Sequence, residues 1–256
     1  MNTELSQLAQ SIIYNYLHVP IGPRCVCPYF NNRRSKIRGG LRALVGKGSP
    51  EDIKEEVEII SLKEKKDLQK CTSQELKEFL VDQGIGIDCS GFAYHVLDAE
   101  LKARSKDRLS THIFFPHSFL KKIYAKLRPA ENTNVTTFAL EKNSTPVDVS
   151  DVRAGDMIFI LGTGKEKTYN HIMVVVDVRG SSNDRVLSYA HSYAWPSEGK
   201  YGHGVRTGEI RASDLSQPLT KALWTEKGMS GKDNYTLQTA LEAHTVSIRR
   251  LRALLK

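Results

Sequence analysis

A polar Asp-Cys-Ser-Gly run at residues 88–91 stands between a glycine-containing turn and a segment with the hydrophobic spacing of a buried helix. Two neighbouring apolar rows mark that helix: Phe92, Ala93, Val96, Leu97 and Leu101. The pattern predicts a helix with Asp88 as its N-cap and Cys89 in its first turn. The fold of the chain must bury this helix.

Cys89 stands where a cysteine can act as a nucleophile. The unpaired N–H groups and the positive dipole at a helix N-terminus stabilise a thiolate, which is the form that attacks a carbonyl carbon. A lone cysteine is more often a buried apolar side chain. Here the polar or small neighbours Asp88, Ser90 and Gly91 and the histidines downstream favour catalysis. We therefore predict that Cys89 is the nucleophile.

Three motifs carry a resemblance to one family of enzymes. Residues 88–92, Asp-Cys-Ser-Gly-Phe, resemble the signature of the NlpC/P60 cysteine peptidases, which cut peptidoglycan stem peptides in bacterial cell walls. Residues 153–159, Arg-Ala-Gly-Asp-Met-Ile-Phe, and residues 171–176, His-Ile-Met-Val-Val-Val, resemble two strand motifs of that family, in the same order. The resemblance covers roughly residues 85–195. It implies an α+β papain-like fold, with N-terminal helices followed by a central antiparallel sheet.

The resemblance also implies which residues assist Cys89. His171, after Asn170 at the start of an apolar strand, matches the general base of the family. His191, on the following strand, matches the polar group that orients the base. Tyr193, Ser192 and His203 are the alternatives for that third position. The expected activity is hydrolysis by a thiol protease, through an acyl-enzyme and a Cys-His-His triad.

Substrate contacts are expected from two regions. Pro28-Tyr29 resembles a family segment whose tyrosine hydroxyl faces the active site, although a packed loop aromatic is an equal alternative for Tyr29. The Trp-Gly-Gly that follows in the family is absent here. Asp88 and Ser90 flank the nucleophile. Residues 192–210 read as a loop rich in Gly, Ser and Tyr, in which Trp195 and Tyr201 could contact a peptide or sugar.

The segment between Tyr29 and Cys89, about sixty residues long, departs from the family pattern. Ser49-Pro50 predicts the start of one helix, and the capping box at residues 72–75 predicts another. We predict a single catalytic domain over residues 1–256, with a helical insertion over about 31–84 and a catalytic core over about 85–226.

The remaining chain is simpler to interpret. Residues 3–17 predict a helix, and residues 104–150 read as irregular except for a short helix over 116–127. Apolar runs at residues 157–161, 172–178 and 185–191 predict strands, the first two joined by a hairpin turn. A further strand is expected at residues 223–224. The tail, residues 246–255, suits either an edge strand or a helix.

Composition limits the partners. The chain has 256 residues, of which 37 are Lys or Arg and 29 are Asp or Glu, a formal charge of +8. This charge favours anionic partners such as wall polymers, but the basic residues are dispersed, so no specific nucleic-acid site is expected. No apolar run is long enough for a membrane span, and the N-terminus has no secretory signal pattern. A cytoplasmic location is expected, with signal-independent export as the alternative.

The resemblance implies that the partner is peptidoglycan or a muropeptide, and no cofactor or metal is expected. Two rival functions remain open. A metal-dependent hydrolase could use Cys89, His171, His191 and His203, although the usual zinc-ligand spacings are absent. A non-catalytic binding protein on the same scaffold could use the basic surface.

Overall fold

The structure is a computed structural model that describes residues 3–31, 42–116, 119–181 and 184–255. Helices lie mainly in the first half of the chain, and an antiparallel sheet occupies the second half. The predicted α+β class, with N-terminal helices and a central antiparallel sheet, is therefore confirmed.

The first helix, α1 (Gln7–Leu17), begins later than the sequence pattern predicts. The Ser6 side chain caps it by accepting a hydrogen bond from the N–H of Ala9. Ala9, Ile13 and Tyr16 form its buried side, whereas Leu8 is 41% exposed. The residues before Ser6 are extended and pair with the sheet instead, with the Leu5 N–H donating to Val176 O at 3.0 Å.

The region predicted as a helical insertion does contain helices, although its residues 32–41 lie outside the described part of the chain. Helix α2 (Pro50–Lys63) begins at a capping box between Ser49 and Asp52. Helix α3 (Ser73–Asp82) begins at a second capping box, between Thr72 and Glu75. Both predicted helix starts are confirmed.

Helix α4 (Cys89–Ser105) is the central helix, and its predicted start is confirmed. The Asp88 carboxylate accepts a hydrogen bond of 2.6 Å from the N–H of Gly91, as an N-cap does. The apolar residues predicted for its buried face are all 0–1% exposed: Phe92, Ala93, Val96, Leu97 and Leu101.

The segment after α4 is more ordered than predicted. It holds four short helices: α5 (Leu109–His112), α6 (Phe119–Leu127), α7 (Pro129–Asn132) and α8 (Val135–Ala139). Helix α6 matches the described part of the helix predicted at 116–127; residues 117 and 118 lie outside the described ranges. The others were missed because helices of four or five residues are too short to show a hydrophobic period. Of these three, only α8 has a side-chain N-cap, Asn134.

Eight strands of the described chain form one antiparallel sheet in the order β1-β8-β2-β3-β4-β5-β6-β7. Their bounds are β1 (Ser144–Pro146), β2 (Met157–Thr163), β3 (Tyr169–Gly180), β4 (Arg185–Tyr193), β5 (Gly204–Ala212), β6 (Leu223–Glu226), β7 (Met229–Ser230) and β8 (Thr245–Leu251). The predicted strands are present, and β2 and β3 form the predicted hairpin. The tail forms β8, which lies between β1 and β2 rather than at an edge.

The prediction of one long loop over residues 192–210 was wrong. Strand β4 extends to Tyr193, and β5 begins at Gly204, so the connection covers only residues 194–203 and includes the short helix α9 (Gly199–Gly202). The buried face of β5 carries two glycines and Arg206 among its apolar residues. That composition hides the alternation by which a strand is recognised.

The two faces of the sheet carry separate apolar clusters. One face packs against α1 and α4 and includes Ile172, Val174 and Ala190. The other includes Met173, Val175 and Tyr189 and is covered by α10 (Tyr235–Glu242). Side chains alternate between faces along a strand, so His171 and His191 belong to the α10 face. No helix in the described ranges is long and apolar enough to cross a membrane.

Candidate active site

The start of α4 fills a gap between the ends of β3 and β4. Their pairing begins at Val174 and Ala190, and does not continue to Ile172 and Ser192. The N–H of Val175 donates to Asp156 O on the β2 side, so by alternation the N–H of Ile172 points towards β4. In place of the missing pair, the Ser192 hydroxyl donates to Ile87 O at 2.7 Å. Residues 87–89 therefore lie where the two strands separate.

Gly91 allows the start of α4 to pack closely against the backbone of Gly46 and the side chain of Ile87. A Cβ at Gly91 would lie 2.7 Å from Gly46 O and 2.8 Å from the Ile87 side chain, closer than any side chain can approach. The Asp88 N–H also donates to Gly46 O, at 2.9 Å. Gly91 of the Asp-Cys-Ser-Gly run is thus required by close backbone packing.

Cys89 is buried beside β3, with 6% of its surface exposed. Burial, and to a smaller extent the Asp88 carboxylate, raise the pKa of its thiol to about 12. Three groups act in the opposite direction and favour the thiolate: the Lys47 ammonium and the backbone N–H groups of Ile172 and Ser90. Desolvation outweighs the helix N-terminus here, so Cys89 is a neutral thiol near pH 7.

The rings of His171 and His191 contact each other. Nε2 of His171 lies 2.6 Å from Nδ1 of His191, and the two side chains are 3% and 0% exposed. If the β3–β4 register is extended from the Val174–Ala190 pair, Tyr193 lies directly opposite His171. His191, two residues before Tyr193, is then the diagonal neighbour of His171 on the same face. The Tyr193 ring accordingly stacks on His171, with ring centroids 4.0 Å apart. The strand register thus brings together two histidines that are 20 residues apart.

A buried glutamate that the sequence analysis missed stands behind His191. Oε2 of Glu226 lies 3.2 Å from Nε2 of His191, and Glu226 is 1% exposed. The same carboxylate accepts hydrogen bonds from the hydroxyls of Tyr189, at 2.7 Å, and Thr236, at 3.0 Å. One feature of the sequence could have indicated it. Glu226 follows Trp224 by two residues, so both side chains lie on the same, buried face of the strand.

Charge balance around Glu226 involves one further residue. Nε of Arg206 lies 3.4 Å from Oε1 of Glu226, and its Nη2 donates to Glu198 at 2.6 Å. Burial lowers the pKa of His191, although Glu226 pulls it upwards. His191 is thus neutral near pH 7, while Glu226, whose pKa is lowered overall despite its burial, is ionised.

A second buried ion pair, also missed from sequence, holds the other side of the α4 start. Nζ of Lys47 contacts Asp88 Oδ1 at 2.9 Å, Ser90 Oγ at 2.6 Å and Thr133 O at 3.1 Å. Lys47, Asp88 and Ser90 are 7%, 7% and 4% exposed. The structure thus places Asp88 and Ser90, which we predicted as substrate contacts, in a network that fixes the helix start. No motif marked Lys47, because its partners are 41 and 43 residues away.

Tyr29 lies beside the segment that leads into Cys89. It forms an isolated bridge with Ile87, and the flanking groups Phe30 N–H and Pro28 O bond to the backbone of Ile87. Its hydroxyl accepts a hydrogen bond of 3.3 Å from Asn31. The structure therefore brings the backbone of the Tyr29 segment to the start of α4.

The other predicted site residues lie elsewhere. Trp195 is 3% exposed, its indole N–H donates to Thr236 at 3.2 Å, and the Arg206 guanidinium lies 4.9 Å above its ring. The Tyr201 hydroxyl donates to Asp82 of α3 at 3.2 Å. Nδ1 of His203 lies 3.7 Å from Glu198. In these positions Trp195 packs the interior, and Tyr201 ties its loop to α3.

Comparison with known proteins adds no identification: no family model, no curated protein and no solved structure matches the chain. Within the described ranges, no group of three or more His, Cys, Asp or Glu side chains is arranged to hold a metal ion. The site is therefore interpreted from its own geometry.

Proposed function

We propose that this chain is a cysteine hydrolase with a papain-like catalytic arrangement, in which Cys89 is the nucleophile and His171 the base. The observation that carries the proposal is the contact of 2.6 Å between His171 and His191, next to the helix start that bears Cys89. The Cys89 sulfur interacts with the N–H of Ile172, the residue after His171. The proposed nucleophile, base and orienting group lie on three separate elements, α4, β3 and β4. The two histidines lie on the sheet face opposite α4, and Cys89 approaches them at the strand ends through the N–H of Ile172.

The His171–His191 hydrogen bond and the contact between His191 and Glu226 favour one tautomer for each ring. Glu226 is an acceptor, so the proton of neutral His191 is best placed on Nε2, facing Oε2 of Glu226. Nδ1 of His191 then accepts, and Nε2–H of His171 donates to it. This arrangement makes Nδ1 of His171 the nitrogen that takes a proton. Glu226 and His191 thus prepare His171 to act as a base.

The reaction starts from a neutral thiol. Because burial raises the pKa of Cys89 to about 12, a preformed thiolate is rare, and proton transfer to His171 accompanies attack on the substrate. The sulfur bonds to the carbonyl carbon of an amide, and His171 passes the proton to the departing amine. Water, deprotonated by His171, then cleaves the thioester and restores the thiol.

Two donors suit the oxyanion that forms during attack. The backbone N–H of Cys89, in the first turn of α4, lies in the positive field of the helix N-terminus. Tyr29, whose backbone runs beside Ile87, is the second donor, through its hydroxyl. Positive charge from Lys47 reaches the same region through its contacts with Asp88 and Ser90.

We infer the substrate class from the resemblance to the NlpC/P60 peptidases. The resemblance suggests an endopeptidase that cuts between γ-D-glutamyl and diamino-acid residues of peptidoglycan stem peptides or muropeptides. The formal charge of +8 suits an anionic wall polymer. An α+β chain in which helices precede an antiparallel sheet is consistent with the papain-like fold of that family. A cytoplasmic enzyme of this kind would act on soluble muropeptides.

The test is digestion of purified peptidoglycan and soluble muropeptides, followed by mass spectrometry. The parent protein should release stem-peptide fragments, Cys89→Ala should release none, and Cys71→Ala, a matched loss of a half-exposed thiol, should behave as the parent. Silence from a folded parent would refute the wall-peptidase assignment. A general panel of amide and ester substrates, run in parallel, would then show whether the cysteine-hydrolase mechanism itself survives.

A second candidate, a non-catalytic binding protein on this scaffold, is favoured by one observation: the burial that keeps Cys89 protonated. The two are separated by ligand binding without turnover. Binding of muropeptide that Cys89→Ala leaves unchanged, with no product from the parent, would favour the binding protein. Activity lost to iodoacetamide but retained in EDTA would favour the thiol hydrolase over a metal-dependent one.

A further inference from the structure

A surface cleft of about 290 Å³, whose lining does not include Cys89, lies between the 24–26 segment, the start of α3 and the start of β5. Its charged lining is entirely basic and consists of Arg24, Lys77 and Lys227. Ser73 and Gln74, the first two residues of α3, contribute the N-terminal turn of a helix to the same cleft. Positive charge therefore converges on this cleft from three separate segments of the chain.

Lys77 is the decisive residue, because it is buried without a counter-ion. It is 9% exposed, and the hydrogen bond from its Nζ goes to a neutral acceptor, Val26 O, at 3.0 Å. Within the described ranges no carboxylate forms an ion pair with it. Lys47, equally buried, is held by Asp88 at 2.9 Å. A buried ammonium is costly unless it is paired, so Lys77 lacks a partner that Lys47 has.

The groups around Lys77 do not supply the missing negative charge. Burial raises the pKa of Cys25, and it raises the pKa of Cys27 to about 12, so both neighbouring thiols are neutral. Arg206 and Lys227 add positive charge. Glu198 is already bound by Arg206, at 2.6 Å, and by Lys227, at 2.7 Å. Burial accordingly lowers the pKa of Lys77 to about 8.

We propose that the cleft between residues 24–26, α3 and β5 is a binding site for an oxyanion, namely the phosphate or carboxylate group of a small ligand, with Lys77 as its central contact. Arg24 is exposed at the rim and would give a second charged contact. The first N–H groups of α3 add donors and a favourable dipole. A volume of about 290 Å³ holds such a group together with part of the molecule that carries it. The site does not depend on the proposed hydrolase.

The test is titration of the full chain with sulfate, phosphate and acetate, each against sodium chloride of equal ionic strength, by calorimetry. Sulfate is the main probe because its charge does not change between pH 6.5 and 9.5. We expect saturable binding at pH 7 to at least one oxyanion. Sulfate or phosphate alone would indicate a phosphate-bearing ligand, and acetate alone a carboxylate-bearing one. No saturable binding of any of the three would overturn the proposal.

Variants locate the binding. Lys77→Met should weaken it about tenfold or more, and Arg24→Ala by severalfold, whereas Lys77→Arg should retain it within about threefold. Lys165→Met, at an exposed lysine of the β2–β3 turn, is the matched control and should bind as the parent does. Equal binding by Lys77→Met and the parent would place the anion elsewhere and refute the site. If Lys77→Met does not fold, Arg24→Ala, at an exposed position, tests the site in its place.

A pH series gives an independent check. The groups facing Lys77 are Cys25, Cys27, Lys227 and Arg206. Since only the ammonium form of Lys77 attracts an anion, sulfate binding should fall about tenfold or more from pH 7 to pH 9.5. The Cε resonance of Lys77, assigned by its loss in Lys77→Met, should titrate at a higher pH when sulfate is present. Binding that is independent of pH, with an unshifted resonance, would contradict a role for Lys77.

Discussion

Nε2 of His171 and Nδ1 of His191 lie 2.6 Å apart inside the protein, so one ring must donate a proton and the other accept it. The two facing nitrogens cannot both carry a proton. Glu226, 3.2 Å from the far nitrogen of His191, decides the direction, because a carboxylate attracts the proton to Nε2. The pair therefore has a direction: His171 donates a hydrogen bond to His191, and the far nitrogen of His191 lies in ion-pair contact with a buried acid.

The first prediction concerns His191. His191→Ala should lower kcat for the proposed reaction by about 10²–10⁴-fold with little change in KM, because His171 loses its orienting acceptor. His191→Gln, which keeps an acceptor, should recover part of that loss. Steady-state kinetics on the substrate found by digestion would measure both. A His191→Ala variant as active as the parent would contradict the triad.

A second prediction concerns the reactivity of Cys89. Because burial raises its pKa to about 12, the thiolate fraction, and with it the rate of alkylation by iodoacetamide, should rise about tenfold per pH unit from pH 7 to pH 9. A cysteine with a preformed thiolate–imidazolium pair would instead show a plateau near neutral pH. Mass spectrometry resolved by peptide gives the rate for each cysteine, and half-exposed Cys71 is the internal reference.

The same shift affects stability at high pH. Cys27 and Cys89 both have a pKa of about 12 in the folded chain, against about 8.5 for a cysteine in an unfolded chain. The folded state therefore binds more protons above pH 9, and its stability should fall from there towards pH 12. The free energy of unfolding, measured in urea, should fall by about 1.4 kcal/mol per pH unit for each thiol. Cys27→Ala should remove the contribution of one thiol and so reduce this slope by about half.

The helix start and the strand core could be predicted because their causes are local. The caps at Ser49, Thr72 and Asp88 bond within three residues, and the apolar runs of β2 and β3 show their burial directly. For the same reason Cys89 could be placed in the first turn of its helix. The ionisation state of Cys89 could not be predicted in the same way. The pKa of its thiol depends on burial against β3, which is distant in the sequence.

The parts that sequence reasoning missed depend on contacts between distant residues. Lys47 contacts Asp88, which is 41 residues away in the sequence. Glu226 contacts His191 from β6, which is separated from β4 by one strand, β5. Neither residue lies in a motif, and both look like ordinary surface charges. Trp195 gave the opposite error, because an aromatic in a polar loop resembles a substrate contact until its burial is known.

A third prediction tests the ion pair beside Cys89. Lys47→Met should destabilise the protein by about 3–5 kcal/mol, because it leaves the Asp88 carboxylate buried without a cation. Asp88→Asn alone should also destabilise, since it leaves Lys47 unpaired. The double variant should lose less than the sum of the two, by about 1–3 kcal/mol, in denaturant unfolding. Lys54→Met, at a half-exposed lysine of α2, is the control and should change stability by less than about 0.5 kcal/mol. Additive losses would contradict the coupling.

A fourth prediction concerns Glu226, which serves both stability and the histidine chain. Glu226→Gln keeps the shape but removes the charge beside Arg206 and His191, so we expect a loss of about 3 kcal/mol and at least about a tenfold fall in kcat. The pKa of Glu226 is lowered in the folded chain, because His191, Tyr189 and Arg206 together outweigh the effect of burial. Its contribution is therefore present above the ordinary glutamate pKa of about 4.3 and lost as the pH falls.

The Glu226 variant should accordingly differ from the parent most near neutral pH and least in acid. Glu209→Gln provides the control, because Glu209 lies on the neighbouring strand β5 and pairs with Arg179 at the surface. Its stability should stay within about 0.5 kcal/mol of the parent at every pH. If Glu226→Gln lost stability equally at pH 7 and at a pH well below the ordinary glutamate pKa of about 4.3, the carboxylate charge would not be its cause. If stability fell while kcat stayed unchanged, Glu226 would support the sheet alone, and His191 would have to be oriented by its burial.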